Sequence, residues 1–219
     1  MRSLLLEQLT DAGIEWPRGG NRYFVPISKI AQLVTPQSIH DELAIQSSPV
    51  PGHIISEYAP LIHKHSSKLF AILVIILKSS SILEFVDENI TDDDLPLVRF
   101  YIADPQQIRS DRNSFALCGE KRKGHPIAAM KNWSQRDVKS FSRDQWSFLA
   151  PVFSNGKHYK FDDNTILPFV EDQEGQRGKV GSGGYSQVWG IRIHRDHQHL
   201  YNTSHPLVRA GICFASYQS

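Results

Sequence analysis

The most hydrophobic stretch of this 219-residue chain is the nine-residue run LFAILVIIL at positions 69–77. A helix that crosses a bilayer needs about 20 apolar residues, so this run is too short to span a membrane. A helix that is apolar on every side is buried by the elements around it. We therefore predict that residues 69–77 form the central helix of a core in the N-terminal part of the chain, and we predict no membrane association.

Shorter helical patterns surround this run. The first residues are amphipathic and predict a helix that ends near Gly13. Thr35 followed by Pro36 is typical of a helix start, and Ile39 and Leu43 then lie one turn apart on its buried side. Three further starts are predicted where a serine precedes an acidic residue or a glutamine by three positions: Ser81, Ser134 and Ser142.

The charge balance limits the partners of the chain. It has 24 basic and 23 acidic residues and a net charge of +1, so nothing attracts nucleic acid or an anionic membrane in bulk. Cys118 and Cys213 are the only cysteines, which favours a reducing compartment over a disulfide-stabilised fold. We expect an intracellular protein, most simply a cytoplasmic one, with no nucleic-acid partner.

Residues 179–193, KVGSGGYSQVWGIRI, have a different pattern. Gly181, Gly183 and Gly184 lie between two segments with the alternation of strands, which predicts a hairpin whose backbone can approach a ligand closely. An ordinary hairpin with a glycine-rich turn also fits this pattern. Upstream, residues 157–170 predict another hairpin.

The spacing of the glycines separates the known phosphate-binding loops. A Walker A loop ends in Gly-Lys-Ser/Thr, which is absent here, and a dinucleotide-binding loop is followed by a helix rather than by a strand. The pattern that fits is the protein-kinase loop G-x-G-x-x-G-x-V. Gly181, Gly183 and Val188 match it, Ser186 replaces the third glycine, and Tyr185 lies where such loops often carry an aromatic residue.

Further short sequence motifs occur in order along nearly the whole chain, at residues 69–73, 94–96, 145–146, 149–153, 166–169 and 193–197. With the glycine loop they make the chain resemble the fungal protein-kinase-like proteins, in which a kinase domain follows a helical N-terminal region. The resemblance implies an α+β fold. Residues 1–165 would form the helical region, and residues 166–219 would form the first antiparallel strands of a Ser/Thr-type kinase small lobe.

The resemblance also implies a nucleotide site. The backbone from Gly181 to Ser186 would cover the phosphates of ATP, with Val180 and Val188 against the adenine. The residues assigned to ATP binding in this way are Val180, Gly181, Ser182, Gly183, Gly184, Tyr185, Ser186 and Val188.

The groups that make a kinase active are missing from these residues. No lysine follows Lys179, no Asp-Phe-Gly occurs, and Phe214-Ala215 is followed by Ser216 where the lysine of the third strand is due. We therefore predict a truncated kinase-like segment with weak ATP binding, no support for Mg²⁺, no catalytic residue and no phosphotransfer. The triplet at residues 194–196, His-Arg-Asp, lacks the asparagine five positions on and is interpreted as a loop at the end of a strand.

Two clusters could suggest a metal ion, and we predict a metal site at neither. The acidic run at residues 91–94 lacks the glycine and terminal glutamate of a calcium loop and is interpreted as a solvated loop. A second cluster is rich in histidine but has no cysteine at zinc-ligand spacing: His194, His197, His199 and His205.

The sequence leaves a second function open. The helical region at residues 1–165 has its own apolar centre and would act as a non-enzymatic module that binds another protein. The oligomeric state is not indicated by the sequence.

Overall fold

A computed structural model describes residues 3–16, 21–46, 50–100, 115–170, 179–183, 186–200 and 208–214. For residues 179–183, 186–191 and 208–214 it describes the backbone alone. The predicted α+β class is confirmed, because helices and small, mainly antiparallel sheets are both present. None of the described helices is both long and apolar enough to cross a membrane.

The α-helices all lie in the first two thirds of the chain. They are α1 (Leu4–Asp11), α2 (Ile27–Leu33), α3 (Pro36–Ala44), α4 (Gly52–His65), α5 (Ser67–Ile75), α6 (Ile82–Asp87) and α7 (Gln135–Asp144). Short 3-10 turns lie between or after them, at Ser79–Ser81, Asp92–Asp94, Glu120–Arg122, Ala128–Met130, Gln145–Phe148 and Arg195–His197.

The strands are short and pair over long distances in sequence. They are β1 (Ile14–Glu15), β2 (Tyr23–Phe24), β3 (Val98–Phe100), β4 (Ala116–Cys118), β5 (Phe153–Ser154), β6 (Phe169–Val170), β7 (Lys179–Gly183), β8 (Ser186–Ile193), β9 (Gln198–His199) and β10 (Val208–Phe214). β1 pairs with β2, β3 with β4, and β5 with β9. β8 is the central strand of the largest sheet, with β10 on one edge and both β6 and β7 on the other.

Helix α5 is the centre of the main core, as the apolar run predicts. Its residues from Leu69 to Val74 are at most 1% exposed, and they pack with apolar side chains of α1, α2, α4, α6 and α7. The prediction fails at the end of the run, since the helix stops at Ile75 and Leu77 is 72% exposed.

The start signals are partly confirmed. The Thr35 side chain accepts a hydrogen bond from the Ser38 N–H, and the Ser38 hydroxyl accepts one from the Thr35 N–H, which closes a capping box at α3. Ser134 caps α7 through the N–H of Asp137. The helix start predicted at Ser81 is confirmed, since α6 begins at Ile82, but the Ser81 side chain makes no capping hydrogen bond. The start predicted at Ser142 is wrong, because Ser142 lies inside α7.

The acidic run after α6 supplies the cap that α5 lacks locally. It forms the 3-10 turn Asp92–Asp94 rather than an open loop. The Asp92 carboxylate accepts the N–H groups of Lys68 and Leu69 at 3.0 and 2.9 Å, in the first turn of α5. A carboxylate at a helix N-terminus satisfies free N–H groups and complements the helix dipole. Burial raises the pKa of Asp92 despite these bonds.

The predicted hairpin at residues 157–170 is wrong. β6 is the only strand in this segment, and it pairs with β8; β5, which lies just before the segment, pairs in parallel with β9. Phe153, Phe169 and Ile193 therefore meet in one buried cluster, against which Trp16 and Tyr159 pack. The C-terminal sheet thus leans on residues of the N-terminal region, as expected for a sheet that has no helix of its own.

Candidate functional site

The glycine-rich segment forms a hairpin, which is the arrangement that its sequence predicts. β7 and β8 are antiparallel, with Gly181 opposite Val188, Ser182 opposite Gln187 and Gly183 opposite Ser186. Gly183 and Ser186 are the last pair of the ladder, and Gly184 and Tyr185 between them lie outside the described residues. No helix follows the glycines, so the hairpin does not have the strand–loop–helix geometry of dinucleotide-binding loops.

The register of this hairpin shifts at Val180. Lys179 pairs with Trp189 and Gly181 with the adjacent Val188, so Val180 is the extra residue of a bulge. A bulge increases the local twist of a hairpin and is frequent beside functional sites. The backbone places Gly181, rather than Val180, directly opposite Val188.

The base of the hairpin is anchored by aromatic residues. Phe169 in β6 pairs with Ile193 at the end of β8, and both side chains are buried. The Phe169 ring stacks on Phe153 at 6.4 Å between centroids and meets Trp16 edge to face at 5.9 Å. The end of β8 that is distant from the glycines is therefore held in a packed cluster.

The chain continues from β8 into the 3-10 turn Arg195–His197, here called the histidine turn. The Asp196 carboxylate accepts a hydrogen bond from the Ser28 hydroxyl near the start of α2. Burial opposes ionisation of Asp196, but this hydrogen bond and the positive charge of the adjacent Arg195 favour the carboxylate, and the net effect lowers the pKa of the carboxyl group. The histidine turn thus joins the central strand of the sheet to the helical core.

His197 is the most buried residue of the histidine turn, at 1% exposed. Its Nε2 accepts the Ile27 N–H at 3.3 Å, which leaves Nδ1 to carry the proton and to donate to the Pro151 carbonyl oxygen at 3.2 Å. The buried ring of Phe24 meets the rings of His194 and His197 edge to face, at 5.9 and 5.4 Å. Burial lowers the pKa of both imidazoles, so both are neutral near pH 7.

These contacts assign a structural task to the His-Arg-Asp triplet. Asp196 is occupied by Ser28, and both ring nitrogens of His197 have backbone partners. The interpretation as a loop at the end of a strand is confirmed, since β8 ends at Ile193 and the turn follows at once. Within the described part of the chain, no three His, Cys, Asp or Glu side chains are grouped to hold a metal ion, and His205 lies outside that part.

The comparisons with known proteins give no relative. The chain matches no protein-family model, no curated protein and no solved structure. The kinase resemblance therefore rests on the sequence pattern alone.

Sequence reasoning did not find the docking partners of the histidine turn. Ile27 and Ser28 lie about 170 positions before His197 and Asp196. The one available signal is Ile27 itself, whose N–H is free because it opens α2 immediately after Pro26. Such a group must find an acceptor outside its helix, but the sequence does not indicate which one.

Proposed function

We propose that the β7–β8 hairpin covers the phosphates of ATP in the manner of a protein-kinase glycine-rich loop. The observation that carries this proposal is the antiparallel pairing of Gly183 with Ser186 and of Gly181 with Val188. Glycine leaves the backbone N–H groups open to close approach by an anion. ATP is the proposed ligand of Val180, Gly181, Ser182, Gly183, Gly184, Tyr185, Ser186 and Val188.

Phosphotransfer is not part of the proposal for these 219 residues. The segment has no lysine after Lys179 and no Asp-Phe-Gly, which are the groups that orient the phosphates and hold Mg²⁺ in active kinases. Binding that rests on a hairpin backbone alone is weak, so we expect a dissociation constant near 1 mM, which corresponds to about 4 kcal/mol. Incubation with γ-labelled ATP and a generic protein acceptor should transfer no label.

The nucleotide proposal is tested by amide NMR with about 5 mM ATP, a concentration above the expected dissociation constant. We expect shifts confined to the hairpin, Gly181 and Gly183 among them, and their loss in Gly183→Asp, which adds a side chain and a negative charge. Gly52→Asp is the matched control, because a Cβ at Gly52 meets nothing within 4 Å. Shifts that persist in Gly183→Asp, or that lie outside the hairpin, would refute the proposal. A micromolar dissociation constant would refute the expectation of weak binding.

We also propose that the helical region acts as a protein-binding module. The observation that favours it is that, among the side chains that the structure describes, the main core from Leu5 to Phe148 contains none from the C-terminal sheet. Residues 1–165 expressed alone should therefore unfold cooperatively in urea, at a lower midpoint than the full chain because Phe24 loses its cover. A gradual loss of helix signal, without a transition, would contradict independent folding.

A further inference from the structure

Helices α5 and α6 end with the same pattern of backbone hydrogen bonds. In α5 the residue with positive φ is a leucine, which is unfavourable in that conformation. In α5 the Lys78 N–H donates to the Leu73 carbonyl and the Leu77 N–H to Val74, which is a Schellman motif. In α6, Ile90 and Asn89 repeat these two bonds. The residue with positive φ is Asn89 at 56° in the second helix, but Leu77 at 60° in the first.

Leucine is unfavourable at this position for two reasons. Positive φ brings its Cβ against the backbone, which is why glycine or asparagine usually occupies the site. The side chain is also 72% exposed, so it contributes little burial in return. Strained residues cluster at functional sites, so Leu77 is a candidate for a contact with another molecule.

Leu77 is one of three exposed apolar residues around one buried carboxylate. Glu42 is 5% exposed and accepts hydrogen bonds from the hydroxyl groups of Ser3 and Ser79. Leu4 adjoins Ser3 and is 69% exposed; Ile45 follows Glu42 by three positions and is 53% exposed; Leu77 precedes Ser79 by two. Single exposed apolar residues are ordinary, whereas each of these three lies within three positions of a member of one hydrogen-bonded cluster. We call these three residues the leucine patch.

The charged groups on the elements that carry the leucine patch are mostly acidic. Glu7 and Asp11 are exposed on α1, and Asp41 is exposed on α3. Lys78, the lysine next to Leu77, is paired with Asp137 of α7 at 3.0 Å, and Arg2, which precedes Ser3, lies outside the described residues. An acidic rim repels anionic lipid, nucleic acid and a second copy of the same surface, and it attracts a basic partner.

We infer that the leucine patch binds the apolar face of a basic amphipathic helix from another protein. Such a helix places leucine-sized side chains at i, i+3, i+4 and i+7 against the patch and its lysines or arginines against Glu7 and Asp41. The inference deepens the protein-binding proposal by naming its surface and partner class, and it is independent of the nucleotide proposal.

The test uses the full chain and two labelled peptides of about 18 residues, the length of five helical turns. Both have leucines at the spacing above; one has lysine and the other glutamate at the remaining positions. In fluorescence anisotropy the lysine peptide should bind and the glutamate peptide should not. Leu77→Gly should weaken binding about tenfold while preserving the fold, because glycine accepts the positive φ. Leu61→Ala is the control: Leu61 is an exposed leucine on α4, outside the leucine patch, and its substitution should leave binding unchanged.

Charge reversal distinguishes the inferred binding from nonspecific hydrophobic association. Glu7→Lys combined with Asp41→Lys should weaken the lysine peptide and strengthen the glutamate peptide. Binding of neither peptide, equal binding of both, or equal losses in Leu77→Gly and Leu61→Ala would overturn the inference. So would light scattering that shows self-association of the chain abolished by Leu77→Gly, since the occupant would then be a second copy. Failure of residues 1–165 to fold alone would count against the independent module but not against this surface.

Discussion

Gln145→Ala is expected to lower the free energy of unfolding by about 3 kcal/mol, because it leaves two buried backbone groups without a hydrogen-bond partner. The Gln145 side chain accepts the Leu97 N–H at 2.8 Å and donates to the Leu97 carbonyl at 2.9 Å, as a neighbouring strand would. Gln145 is 1% and Leu97 is 2% exposed, so water cannot replace either bond. Urea unfolding monitored by circular dichroism measures the loss.

The chain contains a matched control for this effect. Gln135 makes the same pair of hydrogen bonds with the backbone of Phe115, both at 3.2 Å, but its side chain is exposed. Phe115 is itself 5% exposed, but water can reach these bonds from the exposed Gln135 side, so Gln135→Ala should lower the free energy of unfolding by less than Gln145→Ala does. Equal losses in the two variants would show that burial is not the cause.

Acidification is expected to destabilise the chain through the histidine turn. An unfolded histidine titrates near pH 6.5, whereas burial lowers the pKa of His197 below that value in the fold. The folded state therefore prefers the neutral ring. Its stabilising contribution is complete above pH 6.5 and is lost as the pH falls through 6.5 towards the folded pKa, by about 1.4 kcal/mol for each unit of pKa difference. Protonation of Nε2 also removes the acceptor of the Ile27 N–H.

His197→Gln is the variant that isolates this titration. A glutamine amide can still accept from Ile27 and donate to Pro151, but it does not ionise. Urea midpoints measured between about pH 7.5 and pH 5 should fall in the native chain and change less in the variant. His194 also has a pKa lowered by burial, so His194→Gln with His197→Gln should flatten the profile further. A native midpoint independent of pH, or a slope unchanged in the double variant, would refute the assignment.

The sequence patterns predicted the helices and strands whose formation depends on neighbouring residues. The apolar run gave the buried helix α5, and Thr35 with Pro36 gave the start of α3, because a helix is decided by neighbours within one turn. The alternation after the glycines gave the strand β8 for the same reason. At the candidate site, the strands of the hairpin and its glycine positions could thus be read from the sequence.

The wrong predictions concern elements whose structure depends on contacts with residues distant in sequence. Ser142 has the spacing of a helix start, yet Phe141 and Val138 are buried by other elements and keep the chain in α7. β5 and β6 find their partners after residue 190, so the pattern of residues 157–170 held no information on their pairing. The bulge at Val180 likewise depends on register, which the glycine spacing does not fix.

The cover over Phe24 has a consequence for synthesis on the ribosome. Phe24 is fully enclosed, and two of the rings against it arrive with His194 and His197. The helices can assemble once Phe148 has emerged, but roughly 50 further residues must be translated before His197 follows, which takes about 2–10 s. During that interval the Phe24 ring lacks the cover of His194 and His197 and is open to contacts with other molecules.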